Sequence, residues 1–175
     1  MDACVGRFPR VTLAEAATRA DELAQAGSER ELADLRAQWA DELEAAARSA
    51  DFRERAVAYR ALGQFRWRAK EELLRRGLDD ESPACRGSAL LSLELLSRDH
   101  PSTVNGVRPL LHTLVNADGN AAVRRLAVLC LKNGSPQRET IVLLQGIGED
   151  DEADPQLRQT AAKTAQLLKR KQTQK

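Results

Sequence analysis

Apolar residues recur every three or four positions along most of the chain. The clearest stripes lie between residues 90 and 147, and their members are Leu90, Leu93, Leu96, Val104, Val107, Leu111, Leu114, Val123, Leu126, Leu129, Cys130, Ile141, Leu144 and Ile147. This interval places the apolar side chains on one face of a helix, whereas a half-buried strand would alternate apolar and polar residues. No segment shows sustained alternation, so the pattern predicts an all-α protein.

Helix start signals divide the chain into about eight or nine helices. Thr12 and Glu15 have the spacing of a capping box, and Pro83 and Pro155 each follow an N-cap residue. The predicted helices cover 12–26, 29–49, 51–62, 64–76, 83–97, 102–116, 120–132, 136–148 and 155–171. Because the connections are short, we expect those between 51 and 148 to form antiparallel pairs in chain order.

One helix-opening phrase recurs at 82–89, 120–127 and 154–161. Each copy begins with an N-cap residue, has an arginine four positions later and an alanine three positions after that. The three arginines are Arg86, Arg124 and Arg158, and a looser copy from Asp51 contains Arg53. Intervals of about 30 to 40 residues with helix-pair content are typical of stacked helical repeats.

The phrase Asp-Pro-x-Leu-Arg-x-x-Ala-Ala at 154–162 resembles the first helix of a HEAT repeat, and 82–89 is similar but weaker. The resemblance covers 51–171 and implies one structural domain, a short right-handed α-α solenoid whose second helices line a concave face. Residues 1–50 are then a divergent capping helix pair, and 172–175 are a frayed basic tail.

The resemblance also implies a structural role for the repeated arginines, which in HEAT repeats tie neighbouring repeats together. Arg86, Arg124 and Arg158 are therefore expected to be repeat anchors. For Arg124 the expected partners are the acidic side chains of the neighbouring repeats, Asp80, Asp118 and Asp151 or Asp154.

Charge is nearly balanced overall but uneven along the chain. The formal net charge is +1, with 30% charged residues. A charge this small does not attract nucleic acid to the molecule as a whole. Residues 1–50 contain six basic and ten acidic residues, and residues 51–78 contain eight and four. Phe65 and Trp67 lie within the basic segment. This segment is either a solvated helix face or a contact for phosphate or an acidic partner.

Cysteine and histidine spacing gives no support for a metal site, a cofactor site or a catalytic set. Cys4, Cys85 and Cys130 lie far apart, which indicates reduced thiols in an intracellular, cytoplasmic protein. The start of the chain shows no leader pattern, and no apolar run reaches membrane-spanning length. His100 and His112 have no second ligand at zinc spacing and no adjacent nucleophile motif. We therefore expect no metal or cofactor, and the sequence favours a protein that is not an enzyme.

The favoured function is a non-enzymatic interaction module or scaffold that binds a protein or an acidic peptide on its concave face. The candidate binding residues are those expected to be exposed on the second helices: Arg66, Arg68, Lys70, Asn105, Arg108, His112, Arg138 and Gln145. Arg66 and Lys70 are expected to share an exposed helix face, so that reversing both charges would leave stability nearly unchanged.

Two alternatives remain open. One is a nucleic-acid-binding protein that uses the basic 53–76 helix pair, akin to HEAT-like DNA glycosylases. The other is a lyase or chaperone for a prosthetic group, as among HEAT-like phycobilin lyases; only the repeat supports it.

Overall fold

The computed structural model describes residues 11–174 and confirms the all-α prediction for them. This part of the chain contains nine α-helices, a single 3-10 turn at Arg68–Lys70 and no strand. The helices are α1 (Leu13–Gln25), α2 (Glu29–Ala47), α3 (Phe52–Gln64), α4 (Glu71–Leu78), α5 (Pro83–Ser97), α6 (Pro101–Ala117), α7 (Ala121–Leu131), α8 (Arg138–Glu149) and α9 (Pro155–Thr173). Cys4 and Lys175 lie outside the described residues.

Most helices begin where the sequence predicts, because their first N–H groups find local acceptors. The Thr12 hydroxyl accepts the Glu15 N–H at 3.3 Å while the Glu15 carboxylate accepts the Thr12 N–H at 2.7 Å. The side chains of Asp51, Asn120 and Asp154 accept backbone N–H groups in the first turns of α3, α7 and α9. Several ends differ from the prediction by two residues: α2 ends at Ala47, α3 ends at Gln64, α8 begins two residues after 136, and α9 continues into the expected tail as far as Thr173.

The predicted helix over 64–76 does not form as one element. α3 ends at Gln64, and Arg66 adopts a left-handed φ of 52°. The Trp67 N–H then donates to the Leu62 carbonyl at 3.0 Å and the Arg66 N–H to the Gly63 carbonyl at 3.0 Å, which is the Schellman pattern of a helix C-terminus. A left-handed conformation costs a non-glycine residue about 1–2 kcal/mol. Burial of Phe65 next to it favours the turn.

The helices pack in a regular order. The odd-numbered helices contact one another in sequence from α1 to α9, and each even-numbered helix lies against the odd-numbered helix that follows it. Buried side chains from Leu13 to Leu168 form a continuous core. The expected pairing of α7 with α8 is wrong, because α8 packs mainly on α9. A Cβ on Gly148 would lie 3.1 Å from that of Ala162, so glycine allows this close approach.

Small residues bring α3 and α5 together at the centre of the molecule. The Ser92 hydroxyl donates to the Tyr59 carbonyl at 2.6 Å and accepts the Gly63 N–H at 2.9 Å. A Cβ on Gly63 would lie 2.7 Å from the Ser92 Cα, so any larger residue would push the two helices apart. In residues 11–174 no helix has the length and apolar character needed to cross a membrane.

Candidate functional site

The repeated arginines stabilise the turns that join successive helices. Nε and Nη2 of Arg86 bind the two carboxylate oxygens of Asp118 at 2.6 and 2.9 Å, and the Asp118 side chain is 2% exposed. This bidentate contact raises the pKa of Arg86. Nη1 of Arg86 also donates to the carbonyls of Asp80 and Glu81. Arg86 therefore joins the α4–α5 turn to the α6–α7 turn.

Arg124 does not reach an acidic side chain, so that expectation is wrong. Its Nε donates to the Val115 carbonyl at 2.8 Å, and it forms no ion pair with a described residue. The loop 150–154 after α8 is longer than the equivalent loop 118–120, and its Asp151 lies 2.7 Å from Arg158 instead.

A fourth anchor, Arg55, was missed in the sequence. It is 7% exposed and binds both carboxylate oxygens of Asp80, at 2.8 and 3.0 Å, whereas Arg53 is exposed and lies over the Phe52 ring. The spacing between the N-cap residue and the arginine could have identified Arg55. Asp51 and Arg55 are separated by the same four positions that separate N-cap and arginine in the other three copies.

Two of the predicted binding residues lie inside the molecule. Arg108 is 5% exposed and donates to the Thr140 hydroxyl at 2.9 Å, to the Ser135 carbonyl at 3.0 Å and to the Asn105 side chain. His112 Nε2 lies 2.9 Å from the same Thr140 hydroxyl, and burial lowers the pKa of the imidazole. The expectation that Arg108 is exposed is wrong: both residues join α6 to α8, and only Asn105 of the three is exposed.

Arg66 and Lys70 hold the α3–α4 turn against the first two helices. Arg66 Nη1 lies 2.8 Å from the Asp21 carboxylate of α1, and Lys70 forms an ion pair with Glu44 of α2. Lys70 also lies 5.3 Å from the centre of the Trp67 ring, which is half-buried. The two cations thus do not share a free helix face, contrary to the prediction.

The remaining predicted residues lie apart from one another. Arg68 is exposed at the edge of a cavity between turns, Arg138 is exposed in the first turn of α8, and Gln145 lines a narrow groove between α8 and α9. The eight predicted residues therefore do not form one site.

The face of the even-numbered helices contains a groove of about 520 Å³ between α4 and α6. Its α4 wall is a charged stripe at helical spacing, Glu72, Arg75, Arg76 and Asp79. Its α6 wall is mainly apolar, with Gly106, Val107, Pro109, Leu110 and Thr113. Arg75 Nη1 crosses the groove to the Gly106 carbonyl at 2.9 Å. Both stripes follow the i, i+3, i+4, i+7 spacing of one helix face, a signal that the sequence analysis did not use.

A second opening of about 320 Å³ lies between the ends of α1 and α5 and the α3–α4 turn. Arg36, Arg66 and Arg68 line it together with Glu29 and Asp99, and its apolar lining is Ala24, Leu95 and Leu96. Arg36 donates through Nε to the Phe65 carbonyl at 2.7 Å and through Nη2 to the Arg66 carbonyl at 3.3 Å. Burial, with Arg66 and Arg68 nearby, lowers the pKa of Arg36.

Comparison of the chain with protein-family models gives no match, and comparison with curated proteins gives none either. Within residues 11–174 no three His, Cys, Asp or Glu side chains are grouped so that they can hold a metal ion.

Proposed function

We propose that this protein is a non-enzymatic interaction module, built as a short right-handed α-solenoid of HEAT-like helix pairs, that binds another protein on the face of its even-numbered helices. The odd-numbered helices contact one another in chain order, and this arrangement supports the solenoid. So does the recurrence of Arg55, Arg86, Arg124 and Arg158 at one position of the odd-numbered helices α3, α5, α7 and α9.

The α4–α6 groove is the main support for the function. One wall offers apolar surface at Val107, Pro109 and Leu110, and the other offers two arginines flanked by two acids. An amphipathic helix fits such a groove with its apolar stripe on one wall and its charged residues on the other. Because Arg75 and Arg76 lie between Glu72 and Asp79, the best match is a segment with acidic residues at its centre and basic residues at its ends.

Selection of a helical peptide library against the folded protein tests this proposal. Recovered peptides are expected to have an apolar stripe and a central acidic residue. They should lose at least about tenfold in affinity to a Leu110→Glu variant, which places a charge on the apolar wall. The matched control is Leu91→Glu, because Leu91 is 40% exposed on α5 and does not line the groove.

Both variants must first show the helical circular dichroism of the wild type. Peptides that bind Leu110→Glu as tightly as wild type would place the partner surface elsewhere and refute the groove proposal.

Nucleic-acid binding through the 53–76 segment is the weaker proposal. Three of its cations, those of Arg55, Arg66 and Lys70, are already held by carboxylates of the chain itself, which leaves fewer groups to displace counterions from a phosphate backbone. The proposal that the protein is a lyase or chaperone for a prosthetic group has only the repeat resemblance to support it.

A further inference from the structure

The cavity between the turns is lined by charged groups of both signs that form no ion pair with one another. Arg36 and Arg68 line it, and so do Glu29 and Asp99. None of the four forms an ion pair with another residue of the described chain, and Arg36 binds only backbone carbonyls. The cavity is therefore lined by three guanidinium groups, two carboxylates and the imidazole of His100. Of the guanidinium groups only that of Arg66 forms an ion pair, with Asp21, which does not line the cavity.

These positions are set by the fold. Glu29 belongs to the first turn of α2, Arg36 lies two turns further along α2, Arg68 stands in the α3–α4 turn, and Asp99 stands in the α5–α6 turn. The hydrogen bonds from Arg36 to the carbonyls of Phe65 and Arg66 fix its guanidinium against the α3–α4 turn. The charged groups thus come from α2 and from two separate turns, which leaves the space between them open.

The lining also has an apolar part. Leu96 is 5% exposed, and Ala24 and Leu95 are half-buried. Small-molecule sites typically combine apolar lining with a few polar groups that fix orientation, and their volumes begin near 300 Å³. A volume of about 320 Å³ suits a ligand of few atoms.

We propose that this cavity binds a small zwitterion of the α-amino-acid class with an apolar side chain. The ligand carboxylate is held by Arg36 and Arg68, its ammonium group by Glu29 or Asp99, and its side chain lies against Leu95 and Leu96. A guanidinium binds a carboxylate with charge-assisted hydrogen bonds. Arg36 is half-buried and gains most from such a ligand, whereas Arg68, Glu29 and Asp99 are exposed. Only a molecule with both charges satisfies both kinds of group at once.

This site is separate from the α4–α6 groove and does not depend on it, since the two openings share no lining residue. Failure of either proposal therefore leaves the other intact.

Isothermal titration calorimetry with free alanine, valine, leucine, methionine and phenylalanine tests the proposal directly. At least one of them should bind saturably, with a Kd below about 10 mM. The N-acetyl and carboxamide forms of the best ligand each lack one charge, and each should bind at least about tenfold more weakly.

Arg68→Gln and Asp99→Asn should each weaken binding of the free amino acid to a similar degree. Neither exposed residue makes a side-chain hydrogen bond within the described chain, so both variants should fold normally.

Arg138→Gln is the control, because Arg138 is exposed on α8 and does not line the cavity. No saturable binding of any amino acid would overturn the proposal. Equal binding of the N-acetyl form would overturn it too, since that result describes a site for anions alone. Unchanged affinity in both cavity variants would show that the ligand binds elsewhere.

Discussion

Individual arginines at one repeated position differ in what they bind, and the difference matters for stability. Arg86 neutralises the carboxylate of Asp118, whose side chain is almost fully buried. Arg124 satisfies one neutral carbonyl, that of Val115. A buried carboxylate that loses its partner costs far more free energy than a carbonyl that loses its hydrogen bond. The reason is that removing a charge from water costs more than removing a neutral polar group.

Replacing these two arginines with alanine should therefore have unequal effects. Arg86→Ala is expected to reduce the free energy of unfolding by about 3 kcal/mol, because Asp118 is left charged and unpaired. Arg124→Ala is expected to cost about 1 kcal/mol, the usual value of one neutral hydrogen bond. Urea unfolding measures both, with Arg138→Ala as a control at an exposed position. Adding Asp118→Asn to Arg86→Ala should recover part of the loss, and equal losses in the two single variants would contradict this account.

Among the elements, the α3–α4 turn does most to hold the first two helices. Arg66 reaches Asp21 of α1, Lys70 reaches Glu44 of α2, and Arg36 of α2 donates back to the carbonyls of the turn. These contacts arise because Phe65 is buried and the chain turns at Arg66, which moves the following residues away from the α3 axis.

Reversing Arg66 and Lys70 to glutamate together should destabilise the protein. Each substitution places two carboxylates together where an ion pair now stands, so the melting temperature should fall by on the order of 5 °C. The control is the double variant Arg30→Glu and Arg138→Glu, which makes the same change in net charge at two exposed positions. High salt should reduce the difference between the two double variants. A melting temperature equal to that of the control would show that the turn contacts are not stabilising.

The elements that could be predicted are those whose boundaries depend on neighbouring residues. The starts of α1, α3, α7 and α9 follow from caps that lie within three positions of the helix. The turn at 65–70 could not be predicted in this way. The predicted helices 51–62 and 64–76 are separated at Gly63, yet Gly63 is helical and lies against Ser92 of α5, while the left-handed residue is Arg66. Contacts with distant helices override the local preference here.

Site prediction failed for the same physical reason. The sequence indicates which residues lie on the second helices, but it does not show the rotation of each helix about its own axis. α6 is turned so that Arg108 and His112 contact α8, and this leaves Gly106, Pro109 and Leu110 to line the groove with α4. Arg36 gave no sequence signal at all, because its partners are backbone carbonyls.

At the scale of the whole molecule, α9 covers the end of the core. Its Leu157, Ala161, Ala165 and Leu168 are buried against α7 and α8, and its other side is largely polar. Lys171 Nζ donates to the Lys132 carbonyl at 2.9 Å, which fixes the last turn of α9 to the end of α7. α9 therefore covers apolar surface of α7 and α8 that would otherwise be exposed.

Removing residues 155–175 should therefore expose the apolar side of α7 and α8. We expect a broader thermal transition, a lower midpoint and increased binding of a hydrophobic dye, because these two helices lose their cover. Deletion of residues 174–175 alone is the control and should leave the transition unchanged. A truncated chain that unfolds as sharply as the full chain, at the same temperature, would show that α9 is not needed to close the core.

The order in which the helices stack also has a kinetic consequence. Within the described chain, hydrogen bonds between different helices join residues no more than 40 positions apart, and the ion pair of Arg66 with Asp21 joins residues 45 positions apart. Each contact thus closes a short loop, and the entropy lost in closing it is small. Folding can begin at any neighbouring group of helices and spread in both directions, so the chain should reach its native state quickly for its length. Under mechanical extension, the same locality would let the helices detach in turn from the ends, as several small steps instead of one cooperative rupture.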